Sequence, residues 1–244
     1  MLVKTGGEAA GKKARVAIVI DDVGLFNPIG FEDLLVLDTP LTFAVLPNQE
    51  NTEKHASIAV KRGQEIIVHL PMQPVKGKAN WLGSNAITSD MTPEEIRLQV
   101  KQDFDKLPQA KGFNNHMGSL ITSREDLVIP ILEVARDKGY FVLDSKTTGK
   151  SKLVPLARAM GIAYVERDIF LDNVKTTAYV MKQLNRTARI ALDRGSAVAI
   201  GHVGLGGDKT ARAIKEMIPV MESRGIEFVH LSDLVVIPSS FFSF

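Results

Sequence analysis

Ionisable side chains stand where apolar runs of this chain end. The run at 16–20 is followed by Asp21 and Asp22, that at 65–68 by His69, and that at 112–113 by Asn114, Asn115 and His116. The run at 141–143 leads to Asp144 and Ser145, that at 163–165 to Arg167 and Asp168, and that at 197–201 to His202. Two adjacent carboxylates repel, so one of the Asp21–Asp22 pair calls for a metal or a proton. His69 and His116 offer imidazole ligands, and the amides and hydroxyl of the NNHMGS stretch can hydrogen-bond the His116 ring and fix its tautomer. His202, within Gly201-His202-Val203-Gly204, is a candidate catalytic group. The sequence has no cysteine, so a metal would be held by His, Asp or Glu. One divalent transition ion is expected: zinc foremost, with nickel, cobalt and manganese also suited to N/O ligands.

The remaining histidines read differently. His55 falls in a helical pattern and is expected to be exposed. His230 falls in a final strand and reads as structural. The glycine-rich run at 201–209 lacks the spacing of a phosphate-binding loop and reads as a glycine loop leading into a helix.

These residues need elements to bring them together. Apolar β-branched runs at 15–20, 41–46, 65–70, 112–115, 140–143, 163–165, 197–200 and 227–231 are continuous rather than alternating, as buried parallel strands are. Helical patterns lie between them. Thr92-Pro93-Glu94-Glu95 predicts a capped start. Helices are also predicted from Ser123 to Lys138 before Gly139, from Thr176 to Arg194 before Gly195, and from Asp208 to Arg224 before Gly225. Repeated strand–helix units predict an α/β fold, a (β/α) barrel of seven to eight parallel strands, as one domain over residues 14–244. Residues 1–13, polar and glycine-rich, are expected to be a flexible segment, neither a signal peptide nor a membrane span as they stand. The stretch at 71–90, with Trp81, is long for a βα connection and is a candidate flap. In such folds the site lies at the C-terminal ends of the strands, where all these polar residues fall.

Bulk properties narrow the classes. The formal net charge of +2, from 30 basic and 28 acidic residues, argues against a nucleic-acid binder. No apolar run is long enough to cross a bilayer. The oligomeric state is left open.

In order, IVIDDVG, FAVLPN, VHLPMQP, NNHMGS, VLDSKTT, ERDIFLDN and AIGHVG resemble the divergent polysaccharide deacetylases, distant relatives of the NodB-like carbohydrate esterases. The resemblance runs from about residue 14 to 235. It implies that Asp21 is a general base, Asp22 and His69 are metal ligands, and His202 is a general acid. The superfamily's usual H-x-x-x-H pair is broken, because Gln73 stands four residues after His69, and the Arg-x-Pro-x-Gly motif is absent. His116 is then the candidate second imidazole. Asp144 is a candidate to orient His202 or to bind a sugar hydroxyl. Asn115, Arg167 and Asp168, with Asp172, are candidates to contact substrate or to support the site. The implied activity is removal of an N- or O-linked acetyl group from a carbohydrate, with an extracytoplasmic location. The alternative is a carbohydrate-binding or scaffold protein of the cell envelope whose catalysis has decayed. A metal-dependent amidase or phosphoesterase ranks below both.

Overall fold

Strands without polar alternation must be covered on both faces, and the chain achieves this by curling one sheet. The computed structural model describes residues 13–77, 82 and 85–238. Its strands are β1 (Ala14–Val23), β2 (Thr42–Val45), β3 (Glu65–Met72), β4 (Gly112–Met117), β5 (Phe141–Asp144), β6 (Tyr164–Glu166), β7 (Ile169–Phe170), β8 (Ser196–His202) and β9 (Ile226–Phe228). All pairings between them are parallel, in the order β6-β5-β4-β3-β2-β1-β8-β7. β9 pairs with the first residues of β1, whose other edge is taken by β8 along Arg15–Asp21. The sheet forms a half-barrel with helices on its outer face, the expected (β/α) architecture.

The eight expected runs all form strands. The ninth, β7, escaped the sequence reading because two residues carry no periodicity. It lies beside the seam between the two ends of the sheet. There Arg167 N–H donates to Asp144 O at 3.1 Å and Asp168 N–H to Val198 O at 2.9 Å, so consecutive residues bond to opposite sides of the gap. The last run is also shorter than expected. It ends at Phe228, and His230 stands just before a 3-10 turn at Leu231–Leu234 rather than within a strand.

The helices are α1 (Phe31–Leu35), α2 (Thr52–Lys61), α3 (Pro93–Asp105), α4 (Glu125–Lys138), α5 (Leu153–Ala159), α6 (Thr177–Arg194) and α7 (Gly207–Glu222). Thr92 and Glu95 form the expected reciprocal cap of α3, and the Thr176 hydroxyl caps α6 through Tyr179 N–H. His55 is not exposed. It is 5% accessible, with its ring 4.6 Å from that of Phe31, because α2 turns that face toward α1. Residues 1–12 and Trp81 lie outside the described residues. The described ends of the 71–90 stretch are tied together, since Gln73 N–H donates to Ile87 O at 2.9 Å and Ile87 N–H to Pro71 O at 2.8 Å.

The sheet separates two layers of side chains. Even-numbered residues of β1, such as Val16, Ile18 and Ile20, face the helices. Ala17, Val19, Ala44, Ile67, Phe141, Leu143, Val165, Val198 and Ile200 fill the concave side, with Leu231 among them. Gly112 shares that inner side. A Cβ placed there would lie 2.5 Å from Phe141 O and 2.7 Å from its ring, so the glycine makes room for Phe141. Gly112→Ala is expected to destabilise the fold by about 1–3 kcal/mol through overpacking. Urea unfolding would register this as a lower midpoint at unchanged slope, whereas an unshifted midpoint would contradict this packing.

Candidate metal centre

The inner-facing series of each strand, continued toward its C-terminal end, runs into polar residues. On β1 it passes from Ala17 and Val19 to Asp21, on β3 from Ile67 to His69, on β4 from Gly112 to Asn114 and His116, and on β8 from Val198 and Ile200 to His202. By this alternation Asp22 should point away, toward the helices. It does not, because β1 carries a bulge: between the Ile20–Phe43 and Val23–Val45 pairs, β1 advances three residues while β2 advances two. Asp22 adopts a left-handed conformation, with φ 66°, that re-aims its carboxylate into the cleft. Met117 and Lys146, at the ends of β4 and β5, also have positive φ. Such conformations cost roughly 1–3 kcal/mol each and tend to gather at functional sites.

Three atoms converge. Asp22 Oδ1 lies 3.3 Å from His69 Nε2 and 3.2 Å from His116 Nδ1, and the two nitrogens are 3.0 Å apart. Ligand atoms at zinc's usual bond lengths in a tetrahedral arrangement are separated by about 3.3 Å. Asp22 Oδ1 is also a buried oxygen that accepts no well-formed hydrogen bond, although two imidazole nitrogens face it. A carboxylate oxygen and two ring nitrogens aimed at one point fit a divalent cation.

Asp21 stands behind this triangle. Its Oδ2 is 3.7 Å from His69 Nε2, and its Oδ1 accepts from Asn114 Nδ2 at 2.9 Å. Asn114 also donates to Ser145 Oγ at 3.2 Å, and its Oδ1 lies 2.7 Å from His69 Nδ1. Burial raises the Asp21 carboxyl above the usual carboxylate range, more than His69 and His202 lower it. Burial acts the same way on Asp22, but the adjoining His116 and His69 outweigh it and hold Asp22 well below that range. Burial disfavours a charged His69, yet Asp21 and Asp22 together raise its pKa.

His202 closes the other side of the cleft. Its Nδ1 lies 2.8 Å from Asp172 Oδ1, and its backbone N–H donates to Asp172 Oδ2 at 2.9 Å. Asp172, 1% accessible, also accepts from Thr210 Oγ1 and Lys175 Nζ. Burial works against a charged ring, but Asp172 prevails and raises His202 to about 9. The Phe170 ring stacks on His202, with centroids 5.8 Å apart. A cleft of about 320 Å³ spans Asp21, Asp22, His69, His116 and His202, with Pro74 and Lys76 of the candidate flap on its wall. A second cleft, of about 260 Å³, adjoins it on the far side of Asp22 and His202.

The other expected site residues are placed elsewhere. Asn115 lies on the wall of the larger cleft, but its amide is spent on Met117 O, Thr147 Oγ1 and Ser145 N–H, bracing the ends of β4 and β5. Asp144 accepts from Lys146 N–H in the turn after β5, and it is Asp172, not Asp144, that meets His202. Arg167 donates to Ser145 O and Lys146 O and covers the Phe170 ring at 3.7 Å. Asp168 accepts from Val198 N–H and pairs with Arg194. Asn114 and Phe170 were not singled out from the sequence. Strand alternation carried the signal for Asn114, since Phe113 faces the helices and its neighbour must face inward.

The model of the divergent polysaccharide deacetylase family matches residues 18–235. The chain belongs to this family. Over 204 residues it is 31% identical to the uncharacterized protein YibQ of Escherichia coli (strain K12), covering 84% of this chain and 62% of that protein. Among solved structures, an uncharacterized protein from Agrobacterium tumefaciens C58 superposes with a TM-score of 0.83 at 22% identity, over 91% of this chain and 89% of that one. A peptidoglycan N-acetylglucosamine deacetylase, Bc1960, superposes with a TM-score of 0.57 at 16% identity, over 91% and 88% of the two chains. These likenesses show that this family member shares the NodB-like fold.

Because Asp172 holds the His202 proton more strongly than Asp21 and Asp22 do, Asp172→Asn is expected to lower the His202 pKa from about 9 toward its unperturbed value, about 6.5. NMR titration of the ring measures this directly. An unchanged pKa would mean that Asp172 is not the controlling partner.

Proposed function

We propose that this family member is a metal-dependent hydrolase that removes an N- or O-linked acetyl group from a carbohydrate. The observation that carries the reading is the triangle of Asp22 Oδ1, His69 Nε2 and His116 Nδ1, with edges of 3.0–3.3 Å, flanked by Asp21 and His202. Asp22, His69 and His116 would hold one divalent ion, zinc foremost. When bound, the ion supplies Lewis acidity, polarising the acyl carbonyl and lowering the pKa of the attacking water.

The chain's own groups handle the protons. Asp21, its carboxyl raised by burial, accepts a proton from the attacking water. His202 is cationic below about pH 9, and its Nδ1 is engaged by Asp172, so Nε2 is the atom left to donate. As the acyl–nitrogen or acyl–oxygen bond breaks, that proton passes to the leaving atom. Water is consumed, and acetate and a free amine or hydroxyl are released. The balance of charge at the cleft, two carboxylates against imidazoles, gives no reason to invoke nucleic acid. No described helix is long and apolar enough to cross a membrane.

The test is acetate release from acetylated glucosamine oligomers by zinc-supplemented protein. Asp21→Asn and His202→Ala should each lower kcat by about 100- to 10,000-fold. Asp22→Ala, His69→Ala and His116→Ala should each abolish stoichiometric metal binding. The basic limb of the rate profile should fall near pH 9, because the acid form of His202 is lost as pH rises through its pKa of about 9. Release indifferent to all five substitutions would refute the assignment. Glycan binding without acetate release would instead favour the carbohydrate-binding protein on the same fold.

A further inference from the structure

Asn114 is fully buried and is the register neighbour of His69 on the adjacent strand. Its amide touches the two functions of the site at once. Nδ2 is 2.9 Å from Asp21 Oδ1, and Oδ1 is 2.7 Å from His69 Nδ1. An ionised carboxylate can only accept, so the amide end facing Asp21 is the NH2 group. The carbonyl end therefore faces His69, and a carbonyl oxygen can only accept. His69 Nδ1 must then carry a hydrogen, which leaves the Nε2 lone pair directed at Asp22 Oδ1 and His116 Nδ1. The same amide hydrogen engages Asp21 Oδ1 as an acceptor. That hydrogen bond makes Oδ1 the less basic oxygen, which favours protonation at Oδ2, 3.7 Å from His69 Nε2 on the side of the triangle.

We infer that Asn114 is a positioning residue with two separable arms, its carbonyl setting the His69 tautomer for metal binding and its NH2 group assigning the incoming proton to Asp21 Oδ2. The first arm rests on the metal site of the proposed function, and the second rests on its hydrolysis as well. No aspartate would serve both arms. A carboxylate at 114 would still accept from His69 Nδ1–H but would set an oxygen against Asp21 Oδ1, where two carboxyl groups must share a proton.

The arms are tested by comparing Asn114→Ala with Asn114→Asp, each checked for folding by circular dichroism. Zinc affinity is measured by competition with a chromophoric chelator. Asn114→Ala should bind zinc about 10- to 100-fold more weakly, as expected when the outer partner of a ligating imidazole is lost, while Asn114→Asp should stay close to wild type. Asn114→Asp should nonetheless release acetate at least about 100-fold more slowly. In zinc-loaded wild-type protein, imidazole nitrogen NMR should show His69 Nδ1 protonated and Nε2 bound to metal, a readout independent of any variant. Zinc on Nδ1, or unchanged zinc affinity in Asn114→Ala, overturns the first arm. Wild-type turnover by Asn114→Asp overturns the second. Zinc binding in the stated pattern without acetate release by the wild type would remove the hydrolase reading and the second arm, and leave the first standing. Failure to bind zinc at all would remove the function and the inference together.

Discussion

A half-buried carboxylate, whose shielded Oδ1 faces two imidazole nitrogens at 3.2–3.3 Å, is the constraint around which this protein is arranged. Ionised groups are costly to bury without compensation, and three lone-pair donors cannot be held together unless something positive lies between them. The fold spends backbone strain to achieve the arrangement. A bulge and a left-handed Asp22 bring two successive residues of one strand to the same side, against the natural alternation. A cation at the focus would turn these costs into binding energy, which links the bulge to the proposed chemistry.

The two proton-handling groups are separated by their surroundings. Asp21 lies in the inner layer, where burial favours the neutral acid and Asn114 donates a hydrogen bond to its Oδ1. His202 is held against a carboxylate that is itself supplied with four donors, from His202 twice, Thr210 and Lys175. One environment readies a carboxylate to take up a proton, and the other keeps an imidazolium ready to give one up. Divergent pKa values of neighbouring groups are what acid–base assignments at a hydrolytic site require.

Much of this was legible in the sequence. The strand runs, the Thr92 cap and the clustering of polar residues at strand ends follow from local patterns. His69, His116, Asp22 and His202 do meet in one cleft. What stayed hidden depends on which way a side chain turns. Read at the level of strand ends, Asn114 and Asn115 look equivalent, as do Asp144 and Ser145. Their opposite faces decide that Asn114 and Ser145 enter the inner layer while Asn115 and Asp144 brace the turns. The pairing of His202 with Asp172 rather than Asp144 was hidden for another reason. It depends on the seam, where the two-residue β7 brings Asp172 beside the end of β8. The burial of His55 depends likewise on how α2 meets α1, which no pattern within α2 reveals.

The central claim is the identity of the three converging atoms, and anomalous diffraction at the zinc edge from zinc-loaded crystals tests it most directly. The account predicts one zinc per chain, bound by Asp22 Oδ1, His69 Nε2 and His116 Nδ1, with Asp21 outside the coordination sphere. Zinc bound elsewhere, or a triangle that stays empty at saturating zinc, would contradict it.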